Sequence, residues 1–132
     1  MARTGKSGVV HLDTHVVCWL YEGRTDLISA PALRAVEQGL LQVSPVVQLE
    51  LTYLYEIGRI SRDGGFVLEA LAKDVGLSVA DVSLAQMMKK AGTLAWTRDP
   101  FDRMIVAHAM IADAVLVSKD RLILKHCDRA IW

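Results

Sequence analysis

No two strand-like segments of this chain lie close enough in sequence to fold back on one another. Val9–Leu12, Leu40–Val43, Leu77–Val79, Val115–Ser118 and Ala130–Trp132 are short, largely apolar runs, and helical stretches separate the first four. A tight hairpin needs a turn of about two to five residues between its strands, and no pair here is that near. Strands joined this way require crossovers, which implies a parallel sheet with helices on both faces. At 132 residues the chain has the size of one such α/β domain.

The helical stretches have readable ends. The first runs Thr14–Tyr21 and stops near Gly23; the second starts near Ser29, carries Pro31 in its first turn and runs to Gln38. Ser44-Pro45 opens a strongly patterned helix to about Ile57, and Gly64-Gly65 separates it from another at Phe66–Val75. Asp81 is expected to cap a helix ending at Ala91, and Asp99-Pro100 to start one carrying Met104, Ile105, Ala107, Ala109 and Ile111. Residues 1–8, with Arg3 and Lys6, precede the first strand and read as a flexible extension, so the domain proper is expected over 9–132.

Hydrophobic residues make up 52% of the chain, which excludes a disordered protein and suggests a partner interface as well as a core. No apolar run reaches the roughly 18–20 residues a membrane span needs, and the polar start MARTGKSG does not resemble a signal peptide, so a cytoplasmic protein is expected. Fifteen basic residues balance 15 acidic ones, which weighs against a large duplex-binding surface. Cys18 and Cys127, and the histidines His11, His15, His108 and His126, show no zinc-ligand spacing. The two cysteines read as free, buried thiols.

Four acids remain to be explained. Asp13 follows the first strand at once and Asp120 follows the fourth by two residues. Both therefore fall at the carboxyl edge of the sheet, where open parallel sheets bind ligands. Glu50 sits within a helical stripe whose neighbours at three and four positions are Val46, Val47, Tyr53 and Leu54, an unfavourable place for a carboxylate without a purpose. Asp102 lies in the first turn of its helix beside Ile105 and Val106. Each has an ordinary reading: Asp13 as a helix cap, Asp120 as a solvated turn residue, Glu50 as one arm of a buried salt bridge, and Asp99 with Asp102 as helix-start carboxylates. Brought together, the four would repel unless a cation joined them. An all-oxygen set suits Mg2+ or Mn2+, which can activate water and neutralise a phosphate.

The segments LDTHVVCW, SPVVQLEL, RDPFDRMIVAHA and LVSKD resemble, in order and spacing, those of the PIN-domain ribonucleases, most nearly the VapC-type toxins of bacterial toxin–antitoxin pairs. The resemblance covers Val9 to Trp132. It implies a three-layer fold, catalytic and metal-binding roles for Asp13, Glu50, Asp102 and Asp120, and substrate-binding hydroxyls at Thr14 and Ser118, with Asp99 in support. It implies also Mg2+- or Mn2+-dependent cleavage of RNA, a cognate antitoxin protein, and a homodimer, with the helix around Leu49–Tyr55 suited to both protein contacts. Arg98, Arg103, Lys119 and Arg121 are the basic residues nearest the motifs.

Two other classes stand beside this one. A non-catalytic PIN-like module that binds RNA or protein would bind metal yet cut nothing. A phospho-acceptor signalling domain would need a phosphorylatable aspartate after its central strand, for which Asp81 is the candidate, and a second acid near Asp13, where none stands.

Overall fold

The computed structural model describes residues 8–132. Within them the chain runs β1 (Val9–Leu12), α1 (Thr14–Tyr21), a 3-10 turn (Thr25–Leu27), α2 (Ala30–Gln38), β2 (Leu40–Val43), α3 (Pro45–Glu56), α4 (Gly64–Val75), β3 (Ser78–Val79), α5 (Leu84–Ala91), α6 (Pro100–Ile111), β4 (Val115–Val117), α7 (Arg121–His126) and β5 (Ala130–Ile131). The strands form one sheet in the order β3-β2-β1-β4-β5, and every pairing is parallel. This is the α/β layered arrangement that the absence of hairpins implies. Most of the expected extension, including Arg3 and Lys6, lies outside the described residues. Gly8, grouped with it, is buried, and its carbonyl accepts the Leu40 N–H at 2.9 Å.

The central strand is the first in sequence. β1 pairs Val10 with Leu41 on one side and with Val115 on the other, and Val10, His11 and Leu12 are all buried. A strand covered on both faces reads as a continuous apolar run rather than an alternating one, which is how VVHL reads. Leu12, Leu51, Ile105, Leu116 and Ile123 are, among the described residues, the largest apolar side chains that are fully enclosed in and around this sheet. Cys18 and Cys127 are free and buried, as expected.

Three local readings need correction. Asp81 does not cap α5; Ser83 does, its hydroxyl accepting the Gln86 N–H at 3.3 Å. Asp81 is exposed after β3, and β3 is an edge strand, so the central-strand aspartate of a phospho-acceptor domain is not there. Gly64 and Gly65 do not separate α3 from α4 but form the first turn of α4, capped by Asp63. The reason is close packing of the two helices. A Cβ on Gly64 would stand 2.1 Å from the Gln48 carbonyl oxygen and 2.9 Å from Thr52 Oγ1. Finally, α7 has no counterpart in the sequence reading, and Asp120 is its N-cap rather than a solvated turn residue: its Oδ1 accepts from Leu122 N and Ile123 N.

Candidate metal centre

Asp13 closes β1 and opens α1. Its backbone N–H donates to the Val117 carbonyl at 3.0 Å, extending the β1–β4 ladder by one residue, while its Oδ1 accepts from Thr14 N at 2.8 Å as the cap of α1. Its Oδ2 accepts the Ser118 hydroxyl at 2.7 Å. Ser118 in turn accepts the Asp120 N–H at 3.1 Å, so the end of β4 holds the first acid and places the fourth. Asp13 thus caps α1, and it does so at the carboxyl edge of the sheet.

Glu50 projects from α3, and its partner is a hydroxyl rather than an arginine: Thr14 Oγ1 donates to Glu50 Oε1. The stripe around it is only half enclosed. Val46 and Val47 are buried, whereas Leu54 is half-buried and Tyr53 exposed. Asp99 caps α6, its Oδ1 accepting from Phe101 N and Asp102 N, and Asp102 lies in the first turn of that helix. Among the described residues, none of these acids is in an ion pair.

All four predicted acids, with Asp99, line one cavity of about 370 Å³, shared with His15, Trp19 and Lys119. It lies at the carboxyl edge of β1 and β4, the position expected for a ligand in a parallel sheet. Thr14 and Ser118 do not line it. Both are fully buried, and their hydroxyls hold Glu50 and Asp13 in place. Of the basic residues named from the sequence, Lys119 reaches the cavity; Arg98 and Arg103 donate to the Ala95 and Thr97 carbonyls. His15 and Trp19 were not among the expected site residues. Their signal was available, because positions 15 and 19 fall on one helical face just after Asp13.

Three of the acids carry an electrostatic cost that His15 offsets only in part at Asp13 and Glu50. Burial, then repulsion from Asp13, Asp99, Asp120 and Glu50, pushes the Asp102 carboxyl up to about 7. Burial also raises Asp13, against the hydrogen bonds from Ser118 and Thr14. It raises Glu50 too, against the bond from Thr14 and with added repulsion from Asp13 and Asp99. Among the described residues no group of three or more Asp, Glu, His or Cys side chains is placed so that it could hold a metal ion as it stands; the carboxylates line an open cavity instead. The donor chemistry of these carboxylates, rather than their present spacing, suits a hard divalent cation. They offer only oxygen donors, their negative charges gain from a counterion, and the space admits the waters that Mg2+ retains.

Comparison with known proteins bears on the same residues. A family described as the PIN domain matches residues 10–128, a span that contains all five acids. In fold the chain is similar to VapBC2 from Rickettsia felis bound to a DNA fragment from its promoter, with a TM-score of 0.68 and 18% identity over 93% of this chain and 96% of that one. It is similar also to VapBC-1 from nontypeable Haemophilus influenzae, with a TM-score of 0.60 and 21% identity over 92% of this chain and 91% of that one. No curated protein matches it.

Proposed function

Since the chain belongs to the PIN domain family, we propose that it is a metal-dependent endoribonuclease and the toxin of a toxin–antitoxin pair, with Asp13, Glu50, Asp102 and Asp120 as its catalytic and metal-holding residues. One observation carries the reading: carboxylates from separate parts of the fold, after β1, on α3, on α6 and after β4, line a single cavity. Nothing in the packing of the core requires that convergence, and it costs the fold electrostatic energy.

The chain's own contribution is to hold these groups still. Asp13 is fixed by one backbone N–H and one hydroxyl, Glu50 by the Thr14 hydroxyl, and Asp99 and Asp120 by the N–H groups of the helices they cap. In Glu50, Asp99 and Asp120 one carboxylate oxygen carries these bonds, which leaves the other for a ligand. Thr14 and Ser118 are positioning residues in this scheme, since both hydroxyls are spent on carboxylates. A bound Mg2+ or Mn2+ would supply a water of lowered pKa and a counter-charge for the phosphoryl oxygens. Preorganised ligands of this kind lower the reorganisation required when substrate arrives.

The protein partners follow from the same reading. The VapBC structures named above are similar in fold, and α3 presents Leu49, Tyr53 and Tyr55 at 63%, 49% and 45% exposure, apolar area of the kind protein contacts cover. Leu49 and Tyr53 share one side of α3 and Tyr55 points to another, and we assign these exposed surfaces to the antitoxin and a second copy of the chain.

The decisive measurement is cleavage of single-stranded RNA by purified protein with Mn2+ or Mg2+. Cutting should stop with EDTA, and Asp13→Asn should lower the rate by at least about a thousandfold with its circular dichroism unchanged. Undiminished cutting by Asp13→Asn overturns the assignment. Metal binding with no cleavage of any RNA would favour a non-catalytic binding module.

A further inference from the structure

The cavity is not lined by acids alone. Trp19 contributes an indole ring to it, with His15 and Lys119 alongside. Trp19 lies one helical turn beyond His15 on α1, and the two rings are 6.2 Å apart at a tilt of 40°. Trp132, beyond β5, supports it from another direction at 5.8 Å and 55°. Lys119 Nζ stands 5.9 Å from the centre of the Trp19 ring, within the range of a cation–π contact.

A half-buried indole in a basin of carboxylates is an unexpected use of apolar surface. Trp19 also packs against the core. The rings around it argue for more. Trp96 has its face covered by His126, stacked at 5.0 Å and 12°. Both rings beside Trp19 are tilted, so neither is stacked flat upon it. Among the described residues, Lys119 is the single Lys or Arg that lines the same cavity. An indole with a cation over its ring and no ring stacked flat on it suits a nucleotide that enters between them: base on the ring, phosphate on the ammonium.

We propose that Trp19 is a stacking platform for an unpaired base of the RNA next to the phosphate that is cut, with Lys119 holding a neighbouring phosphate. The inference rests on the ribonuclease reading and narrows it to single-stranded RNA, because a paired base is already stacked within its helix and cannot lie on the indole.

Binding and cutting are measured separately to test it. Binding is followed by fluorescence anisotropy, with Mg2+, in the full-length Asp13→Asn protein. The probes are a labelled single strand of about 12 nucleotides, the same strand lacking all its bases, and its duplex. Adding Trp19→Ala should weaken binding of the single strand about tenfold and Trp19→Phe by about twofold to threefold. The base-free strand and the duplex should bind as weakly as the single strand binds the Trp19→Ala protein, and Trp19→Ala should cost the base-free strand nothing further. In the otherwise wild-type protein, Trp19→Ala should raise KM about tenfold with little change in kcat. Equal binding with and without Trp19, or of strands with and without bases, overturns the platform even where RNA is cut. Trp19-dependent binding in a protein that cuts no RNA upholds the platform and removes the nuclease reading.

Discussion

Asp102 is where the electrostatic cost of the basin concentrates, and that makes it the best probe of what the basin binds. Its carboxyl is pushed from the ordinary 3.8 to about 7, so the metal-free folded protein holds this proton more tightly than the unfolded chain does. The stability linked to that proton is complete below the unfolded pKa and is lost as pH rises toward and through 7. Asp13 and Glu50 are raised as well and act in the same direction. Thermal scans in EDTA should therefore show Tm falling between pH 6 and 8.5. Mn2+ should restore more Tm at pH 8.5 than at pH 6, and Asp102→Asn should flatten the metal-free fall. A metal-free Tm that rises over this interval would contradict the account. At this scale the sequence was informative where a residue directly adjoins an element. Asp13 was legible because it ends an apolar strand. Glu50 was legible from helical spacing, although Tyr53 in the same stripe turned out exposed. Trp19 reads in the sequence as part of the apolar face of α1, because an aromatic one turn along an amphipathic helix ordinarily belongs to the core.

Among the elements, α4 shows most clearly how a glycine pair can be misread. Two adjacent glycines signal a break in the chain, yet here they are the first turn of a helix pressed against α3. The two are not equivalent. A Cβ at Gly64 collides with backbone of α3, whereas at Gly65 its nearest neighbours are at 3.7 Å, ordinary contact. Gly64→Ala should cost about 1–3 kcal/mol through overpacking. Gly65→Ala should stabilise by about 0.4–1 kcal/mol by restricting the unfolded chain. Urea melts with unchanged m-values would register both, and equal effects would refute the packing explanation. The capping errors have a related origin. Asp81 and Ser83 are both competent caps, and only the path of the chain leaving β3 selects the serine. α7 has six residues, too few for a periodic pattern to emerge, so Asp120 looked like part of a turn.

Across the whole molecule, a buried histidine pair sets a limit on the acid side. His11 on β1 and His108 on α6 meet edge to face at 4.9 Å, and each is 1% exposed. Burial, with His108 as a like-charged neighbour and Gln42 partly offsetting, brings His11 down to about 4. Burial also lowers His108, against the pull of Asp81. Both must be neutral in the folded state, so the stability they contribute is present above the unfolded pKa of 6.5 and is lost as pH falls toward 4. His11→Leu should reduce the loss of Tm between pH 6.5 and 4.5 to roughly half, and an unaltered acid limb would exclude the pair as its cause. The alternation of strands and helices announced the parallel sheet, but the strand order was not readable, because nothing local says which distant strand flanks β1. That order governs how the protein can be born. Asp13 and the Ser118 that holds it are separated by 105 positions, so at about 5–20 residues per second the ribosome makes the first acid roughly 5 to 20 s before its anchor. Until β4 is synthesised the central strand lacks one of its two neighbours and the fourth carboxylate does not exist. On the proposed ribonuclease reading, the carboxylate basin is therefore completed only once β4 and Asp120 have been made.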